Sequence, residues 1–194
     1  MEPINLPFCF PVTPEGFQAT ANMKYIQRRL SEMQDYFSNR EAIQSILAQS
    51  NPLIYEYWEM EYAGSGNGIS FGMTRIQPGQ IGNEYFLTKG HFHTDGLGDE
   101  MHQTLNGQGL VLLLDKEENT TCMEMQPGRM CYYPGHLAHR TINTGLEPLV
   151  FVGIWPPHIV HDYETLKHSG FPKLIVAGQM EPELINNPRY SSLN

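Results

Sequence analysis

From Leu53 onward the chain is a succession of short β-like runs separated by glycine and proline turns, and this alternation limits the folds open to it. Turn pairs stand at Pro78-Gly79, Asn106-Gly107, Pro127-Gly128, Pro134-Gly135 and Thr144-Gly145, and a glycine-rich stretch covers residues 64–68. Such pairs favour tight turns, because glycine tolerates positive φ, and proline fixes φ at about −65°, as the first central position of a turn requires. Many short strands at regular turn spacing predict an all-β antiparallel sandwich or barrel. The runs are Leu53 to Tyr62, Ile69 to Gln77, Glu84 to Thr88, Met101 to Leu105, Leu110 to Leu114, Cys122 to Met125, Met130 to Tyr133, Arg140 to Asn143 and Leu149 to Trp155.

The first fifty residues lack the short β-like runs of the rest of the chain and contain a helical pattern. Ser38 and Glu41 have the spacing of a capping box, and Ala42, Ile43, Ile46 and Leu47 form a helical stripe that is expected to pack on a larger body. We therefore divide the single expected domain into an N-terminal extension (1–50), a barrel (51–160) and a C-terminal segment (161–194). In the last segment, His161 to Lys167 is expected to form a short helix and Leu174 to Ala177 a final strand.

Composition excludes several classes of function. The net charge is -9, and the 12 Lys and Arg residues are scattered, whereas nucleic-acid phosphates are bound mainly by clustered cations. Three cysteines without CxxC spacing suggest neither a disulfide framework nor a cysteine zinc site. The N-terminus lacks a signal-peptide pattern, and no apolar stretch approaches the length of a membrane span. We expect a cytoplasmic protein without a nucleic-acid or membrane partner.

A candidate metal site stands in the middle of the chain. His91 and His93 share one face of a strand, with Phe92 turned away, because successive strand residues point to opposite faces. Glu100 follows, and His139 comes later along the chain. Three imidazoles and a carboxylate suit a divalent transition metal. Asp99 competes with Glu100 as the acidic ligand; the spacing to Gly107 favours Glu100, which also shares a face with His102.

The spacing of these ligands and of the glycines around them resembles the two signature motifs of cupins, small jelly-roll barrels that bind a metal in the barrel mouth. Two departures are visible. Six residues separate His93 from Glu100, more than cupins usually place there, and His136 stands where glycine is common. The resemblance implies a cupin barrel with a helical and strand extension at its N-terminus. A structural role is the default for His136, at the cavity rim, and for His102, which is expected to face the cavity without ligating.

Longer segments, distributed from about residue 20 to about residue 190, resemble the cupin-type glucose-6-phosphate isomerases. They are 28–37 (RRLSEMQDYF), 85–93 (YFLTKGHFH), 133–141 (YPGHLAHRT), 161–163 (HDY) and 187–190 (NPRY). The resemblance implies isomerisation of a sugar phosphate through an enediolate, with Glu100 as the catalytic base. It implies one divalent metal per chain, with Fe2+ expected first and Mn2+, Ni2+, Co2+ or Zn2+ as alternatives, and a homodimer. The implied substrate-binding residues are Tyr55, Thr74, Thr88, Gly90, His161 and Tyr163.

Two residues depart from that family near the expected pocket, since His102 and Trp155 stand where its archaeal members carry tyrosines. The same ligand set also fits two alternative functions, a cupin dioxygenase and a non-catalytic sugar-binding cupin. If the protein is an isomerase, a hydride shift is the alternative to proton transfer by Glu100.

Overall fold

The structure is a computed structural model that describes residues 9–17, 23–60, 68–94, 96–157 and 159–192. Its helices are α1 (Leu30–Met33), α2 (Arg40–Leu47) and α3 (Glu164–Ser169), with a 3-10 turn at Gln34–Tyr36. Strands make up most of the regular structure: β1 (Val12–Thr13), β2 (Gly16–Phe17), β3 (Met23–Arg29), β4 (Leu53–Met60), β5 (Ser70–Ile76), β6 (Gln80–Ile81), β7 (Glu84–Tyr85), β8 (Phe92–His93), β9 (Glu100–Asn106), β10 (Gly109–Leu114), β11 (Thr120–Met125), β12 (Met130–Tyr133), β13 (Ala138–Asn143), β14 (Leu149–Trp155), β15 (His161–Asp162), β16 (Lys173–Ala177) and β17 (Pro182–Asn186).

Two antiparallel sheets form the barrel. The larger has the order β12-β9-β14-β5-β4-β3, and the smaller has the order β11-β10-β13. The chain before β8 extends the smaller sheet, because Leu87 pairs with Ile142 and His91 pairs with His139 on β13. From β8 to β14 the chain passes repeatedly from one sheet to the other, with hairpin partners β10 and β11 lying together. This exchange between sheets is jelly-roll topology and confirms the predicted all-β cupin class.

The larger of two hydrophobic core clusters in the described residues is shared by the barrel and the N-terminal extension. It contains Leu30 and Ile43 from the extension together with Val111, Leu112 and Phe151 from the barrel. Strand β10 is buried along nearly its whole length, which explains why its sequence is a continuous apolar run rather than an alternating one. The division of the domain at residues 50 and 160 stays a prediction.

The start of α2 differs from the prediction by one residue. The N-cap is Asn39, whose side chain accepts a hydrogen bond from the Ala42 amide at 2.9 Å. Ser38 instead donates its hydroxyl to the buried Glu84 carboxylate at 2.6 Å. Ser38 was the wrong cap because a partner distant in sequence takes its hydroxyl, and the adjacent asparagine is an equally good cap.

The predicted β runs from Ile69 onward all contain strand, although the run at Glu84 is regular only to Tyr85. The predicted strand from Leu53 is described to Met60, and its end, like most of the glycine-rich stretch, lies outside the described residues. The expected helix at His161 begins three residues later, because Asp162 accepts hydrogen bonds from the amides of Glu164 and Thr165 at 3.0 and 3.1 Å. No helix in the described ranges has the length and apolar character needed to cross a bilayer.

Candidate metal centre

Four predicted ligands from separate places in the barrel meet at one point. His91, His93, Glu100 and His139 each offer a ligand atom, and these atoms all lie within 4.8 Å of one another. Glu100 Oε2 is the shared contact, at 3.4 Å from His93 Nε2 and 3.5 Å from His139 Nε2. Strand alternation accounts for the first pair, since the rings of His91 and His93 lie on one side with centroids 5.4 Å apart.

Gly90 creates the bend that brings His91 beside β13. Its φ is +72°, a left-handed conformation that favours glycine. A Cβ at this position would lie 2.9 Å from the carbonyl oxygen of His139. This close approach accompanies the paired backbone hydrogen bonds between His91 and His139, both 3.2 Å long. Two ligands are thus fixed to each other through the main chain.

Buried polar atoms in the cluster fit a metal ion. Four of them lack a hydrogen-bond partner: His91 Nε2, His93 Nε2, Glu100 Oε2 and His139 Nδ1. Unpartnered buried polar atoms are costly, so their convergence indicates a ligand. His93 Nδ1 lies 2.8 Å from the Gly98 carbonyl, to which it donates as N–H, leaving Nε2 as the free lone pair. The donor set of three nitrogens and one oxygen suits a divalent transition metal.

The electrostatics of the cluster favour ligating protonation states. Burial lowers the pKa of His139 to about 3 and places the pKa of His91 well below its usual range. Burial works against ionisation of Glu100, but the influence of His139 and the hydrogen bond from His102 outweigh it, so the pKa of Glu100 lies well below its usual range. Neutral imidazoles beside a carboxylate are the forms that bind metals.

His102 lies beside the four ligands and holds the carboxylate. Its Nε2 is 2.8 Å from Glu100 Oε1, and the Tyr133 hydroxyl lies within hydrogen-bond distance of the same ring. Gly153 on the neighbouring strand leaves room for this pair, since a Cβ there would lie 3.3 Å from Glu100 Oε1. Tyr133 and Gly153 were not predicted from the sequence, because only the pairing of β9 with β12 and β14 brings them to the site.

Asp99, the alternative ligand, points away from the centre. Its carboxylate is exposed, accepts a hydrogen bond from the Tyr132 hydroxyl and a second one from the Gly135 amide at 3.1 Å. His136 is also exposed. The opposite orientation of Asp99 and Glu100 follows from strand alternation at the start of β9.

Two of the predicted substrate-binding residues border the metal cluster. The ring of His161 lies 4.1 Å from that of His91, because β15 pairs with β8. The Tyr163 ring lies 5.1 Å from the His91 ring, and its hydroxyl is 3.4 Å from His161 Nδ1. His161 Nε2 is buried without a hydrogen-bond partner, so this ring has an unused polar atom beside the cluster. Trp155 adjoins them, with its ring 6.4 Å from that of His161.

The remaining predicted substrate residues lie in the two sheets. Tyr55 on β4 and Thr74 on β5 are buried in adjacent strands of the larger sheet. Thr88 lies in the segment paired to β13, where its hydroxyl oxygen accepts a hydrogen bond from the Thr141 amide at 3.0 Å. Burial and the neighbouring Tyr163 raise the pKa of Tyr55, so its hydroxyl is protonated and able to donate at neutral pH.

A jelly roll with three histidines and a glutamate converging inside it defines a cupin-type barrel with a candidate metal centre. Residues 27–190 match the family model of glucose-6-phosphate isomerase (GPI). The chain is 38% identical over 168 residues to the glucose-6-phosphate isomerase of Thermococcus gammatolerans, covering 87% of this chain and 88% of that protein. This chain therefore belongs to the glucose-6-phosphate isomerase family, as its resemblance predicted.

Other likenesses are weaker. The chain is 30% identical over 158 residues to the putative glucose-6-phosphate isomerase 2 of Rhizobium meliloti, covering 81% of this chain and 78% of that protein. Among solved structures, oxalate decarboxylase from Bacillus subtilis matches with a TM-score of 0.48 and 19% identity, over 61% of this chain and 30% of that one. The fold assignment rests on the strand order described above.

Proposed function

We propose that the protein interconverts glucose 6-phosphate and fructose 6-phosphate, with one divalent metal held by His91, His93, Glu100 and His139. The observation that carries the proposal is the convergence of His93 Nε2 and His139 Nε2 on Glu100 Oε2, in a chain that belongs to this family. When bound, the metal would orient the two adjacent oxygens of the open-chain sugar and stabilise negative charge as the enediolate develops.

Glu100 is the proposed base. It takes the proton from C2 of the aldose and returns it to C1, and the reverse reaction uses the same carboxylate. Its Oε1 is held by His102 at 2.8 Å, which fixes the orientation of the group while a proton resides on it. The buried surroundings of Glu100 slow the exchange of this proton with bulk water. A hydride shift between C1 and C2 is the competing mechanism.

The proposed binding residues divide between the two ends of the substrate. His161, which borders the metal cluster, would bind the sugar end. Tyr55, Thr74, Thr88, Tyr163 and the Gly90 amide would donate hydrogen bonds to the phosphate, which neutral donors can bind when they converge in a concave site. The resemblance assigns these roles, and the contacts of Thr88 and Tyr55 leave their hydroxyl protons available.

A coupled assay tests the function directly. Protein reconstituted with Fe2+, Mn2+, Ni2+, Co2+ or Zn2+ is incubated with fructose 6-phosphate, and glucose 6-phosphate is measured with a dehydrogenase while an oxygen electrode monitors a parallel sample. Isomerisation without oxygen consumption is expected, with Fe2+ among the activating ions. Oxygen consumption would instead support a dioxygenase, and binding without turnover would support a sugar-binding cupin.

Two further properties stay predictions of the family resemblance. We expect a homodimer, which light scattering coupled to gel filtration measures, and a cytoplasmic location, which cell fractionation measures.

A further inference from the structure

A solvent-open cleft lies on the side of β13 away from the metal cluster. His139 and Arg140 are adjacent on this strand and therefore point to opposite faces. Arg140 lines the cleft together with Tyr36, Ser38, Lys167 and Arg189. We refer to these five residues and the space between them as the Arg140 cleft.

Arg140 is buried, and no carboxylate in the described part of the chain forms an ion pair with it. Only 3% of the residue is exposed, and its Nε and Nη2 both donate to the Lys89 carbonyl at 3.1 and 2.7 Å. Its guanidinium lies 4.6 Å from the Phe171 ring. Among the described residues no acidic oxygen lies within 4.0 Å of it, and the buried Glu84 carboxylate acts on it only from a greater distance. A buried cation normally has an anionic partner, because removing the charge from water is costly.

The other charges of the cleft strengthen the case for an anion. Arg189 donates from Nη1 to the Phe37 carbonyl at 2.7 Å and forms no ion pair within the described part of the chain. Lys167 has only the largely exposed Glu164, at 3.6 Å. Asp35, the acidic residue of the lining, is paired with Arg40 at 3.3 Å. Three cations thus meet at one cleft in a chain with only 12 Lys and Arg residues and a net charge of -9.

We propose that the Arg140 cleft binds a phosphate group, at a site separate from the metal centre. Arginine guanidinium groups match tetrahedral oxyanions through paired donors, and Lys167 adds a further positive charge at the rim. The cleft opens to solvent, so the phosphate has two possible sources: free inorganic phosphate, and a small phosphomonoester whose remaining atoms stay outside.

Thermal unfolding of the metal-loaded protein tests the proposal. Inorganic phosphate, titrated at constant ionic strength, is expected to raise the unfolding temperature. The apparent affinity should fall by about tenfold or more in the Arg189→Gln, Lys167→Gln double variant, which removes two cations from the rim and leaves buried Arg140 in place. Lys173→Gln is the matched control, because it removes a surface cation that contacts Asn186 and does not line the cleft. The same titration is repeated with glycerol 3-phosphate. Tighter apparent binding of inorganic phosphate would indicate free phosphate as the source, and tighter apparent binding of glycerol 3-phosphate would indicate a phosphomonoester.

A second variant separates this cleft from the substrate site. Thr88→Val is expected to retain the stabilisation by phosphate, since Thr88 is not part of the Arg140 cleft. The proposal is overturned if phosphate has no effect on the wild type, or if the double variant responds as the wild type does. It is also overturned if Thr88→Val alone abolishes the effect, which would place the ion in the substrate site. Isomerase assays are independent of this readout, so failure of one proposal does not imply failure of the other.

Discussion

His102 Nε2 lies 2.8 Å from Glu100 Oε1, so one carboxylate oxygen is held while the other faces His93 and His139. His102 stands at a position where the family resemblance implies a tyrosine in the archaeal members. His102→Phe removes the donor and leaves Oε1 without that partner. We expect kcat to fall by about 10- to 100-fold, as for other residues that orient a ligand, with the metal retained. His102→Gln, which keeps an N–H donor, should recover part of the activity. Equal activity in all three proteins would contradict a positioning role for His102.

Glu100→Gln separates the proposed base from its acidic neighbour. Removing the base should lower kcat by on the order of two to four decades, measured in the coupled assay on protein with native circular dichroism. Asp99→Asn is the matched control and should be mild, because Asp99 is exposed and contacts Tyr132 and Gly135 instead of the cluster. Loss of activity in the Asp99 variant alone would overturn the assignment of Glu100.

Solvent exchange distinguishes proton transfer from a hydride shift. Glucose 6-phosphate carrying deuterium at C2 should lose part of its label to water when Glu100 carries the proton, because an acid exchanges while the intermediate is bound. Complete retention of deuterium at C1 of fructose 6-phosphate, followed by NMR at low conversion, would instead favour the hydride shift.

Gly90→Ala tests the bend that joins His91 to β13. Positive φ alone costs alanine about 1 to 2 kcal/mol, and the added Cβ would also lie 2.9 Å from the His139 carbonyl oxygen. Gly128→Ala is the matched control, with φ +88° and no atom within 4 Å of the new Cβ. We expect both variants to unfold at lower temperature, and only Gly90→Ala to lose bound metal as well. Equal metal content in the two variants would contradict the link between the bend and the ligands.

Acid should destabilise the metal-free protein through its buried histidines. The folded-state pKa of His139 is about 3, below its ordinary value of 6.5, so between these values the unfolded chain binds the extra proton. Stability is therefore present above pH 6.5 and falls as the pH drops towards 3, by up to about 1.4 kcal/mol per pH unit for one proton. Urea unfolding of apoprotein across this range measures the slope. His139→Gln should flatten it, and an unchanged slope would exclude His139 as its source.

Local sequence patterns predicted much of the fold and the set of metal ligands. The turn pairs marked the strands, and the two-residue period of a strand placed His91 with His93 and separated Asp99 from Glu100. Predictions from short-range patterns were wrong or incomplete where the contact is made with a residue distant in the sequence. Ser38 resembles a helix cap, but Glu84 takes its hydroxyl. Tyr133 and Gly153 reach the site only through strand pairing. The strand β17 was missed because its residues are all exposed and lack an apolar alternation.

The hydrogen bond from His93 to the Gly98 carbonyl shows that the long connection before Glu100 belongs to the site. A ligand ring is oriented by main chain that lies between it and the next ligand. Anyone who transplants this centre into another barrel would therefore have to move the continuous stretch 90–100, with its backbone shape, and not four side chains alone. The six-residue connection between His93 and Glu100 is therefore expected to resist shortening during evolution, because deleting residues there would remove the carbonyl that orients the His93 ring.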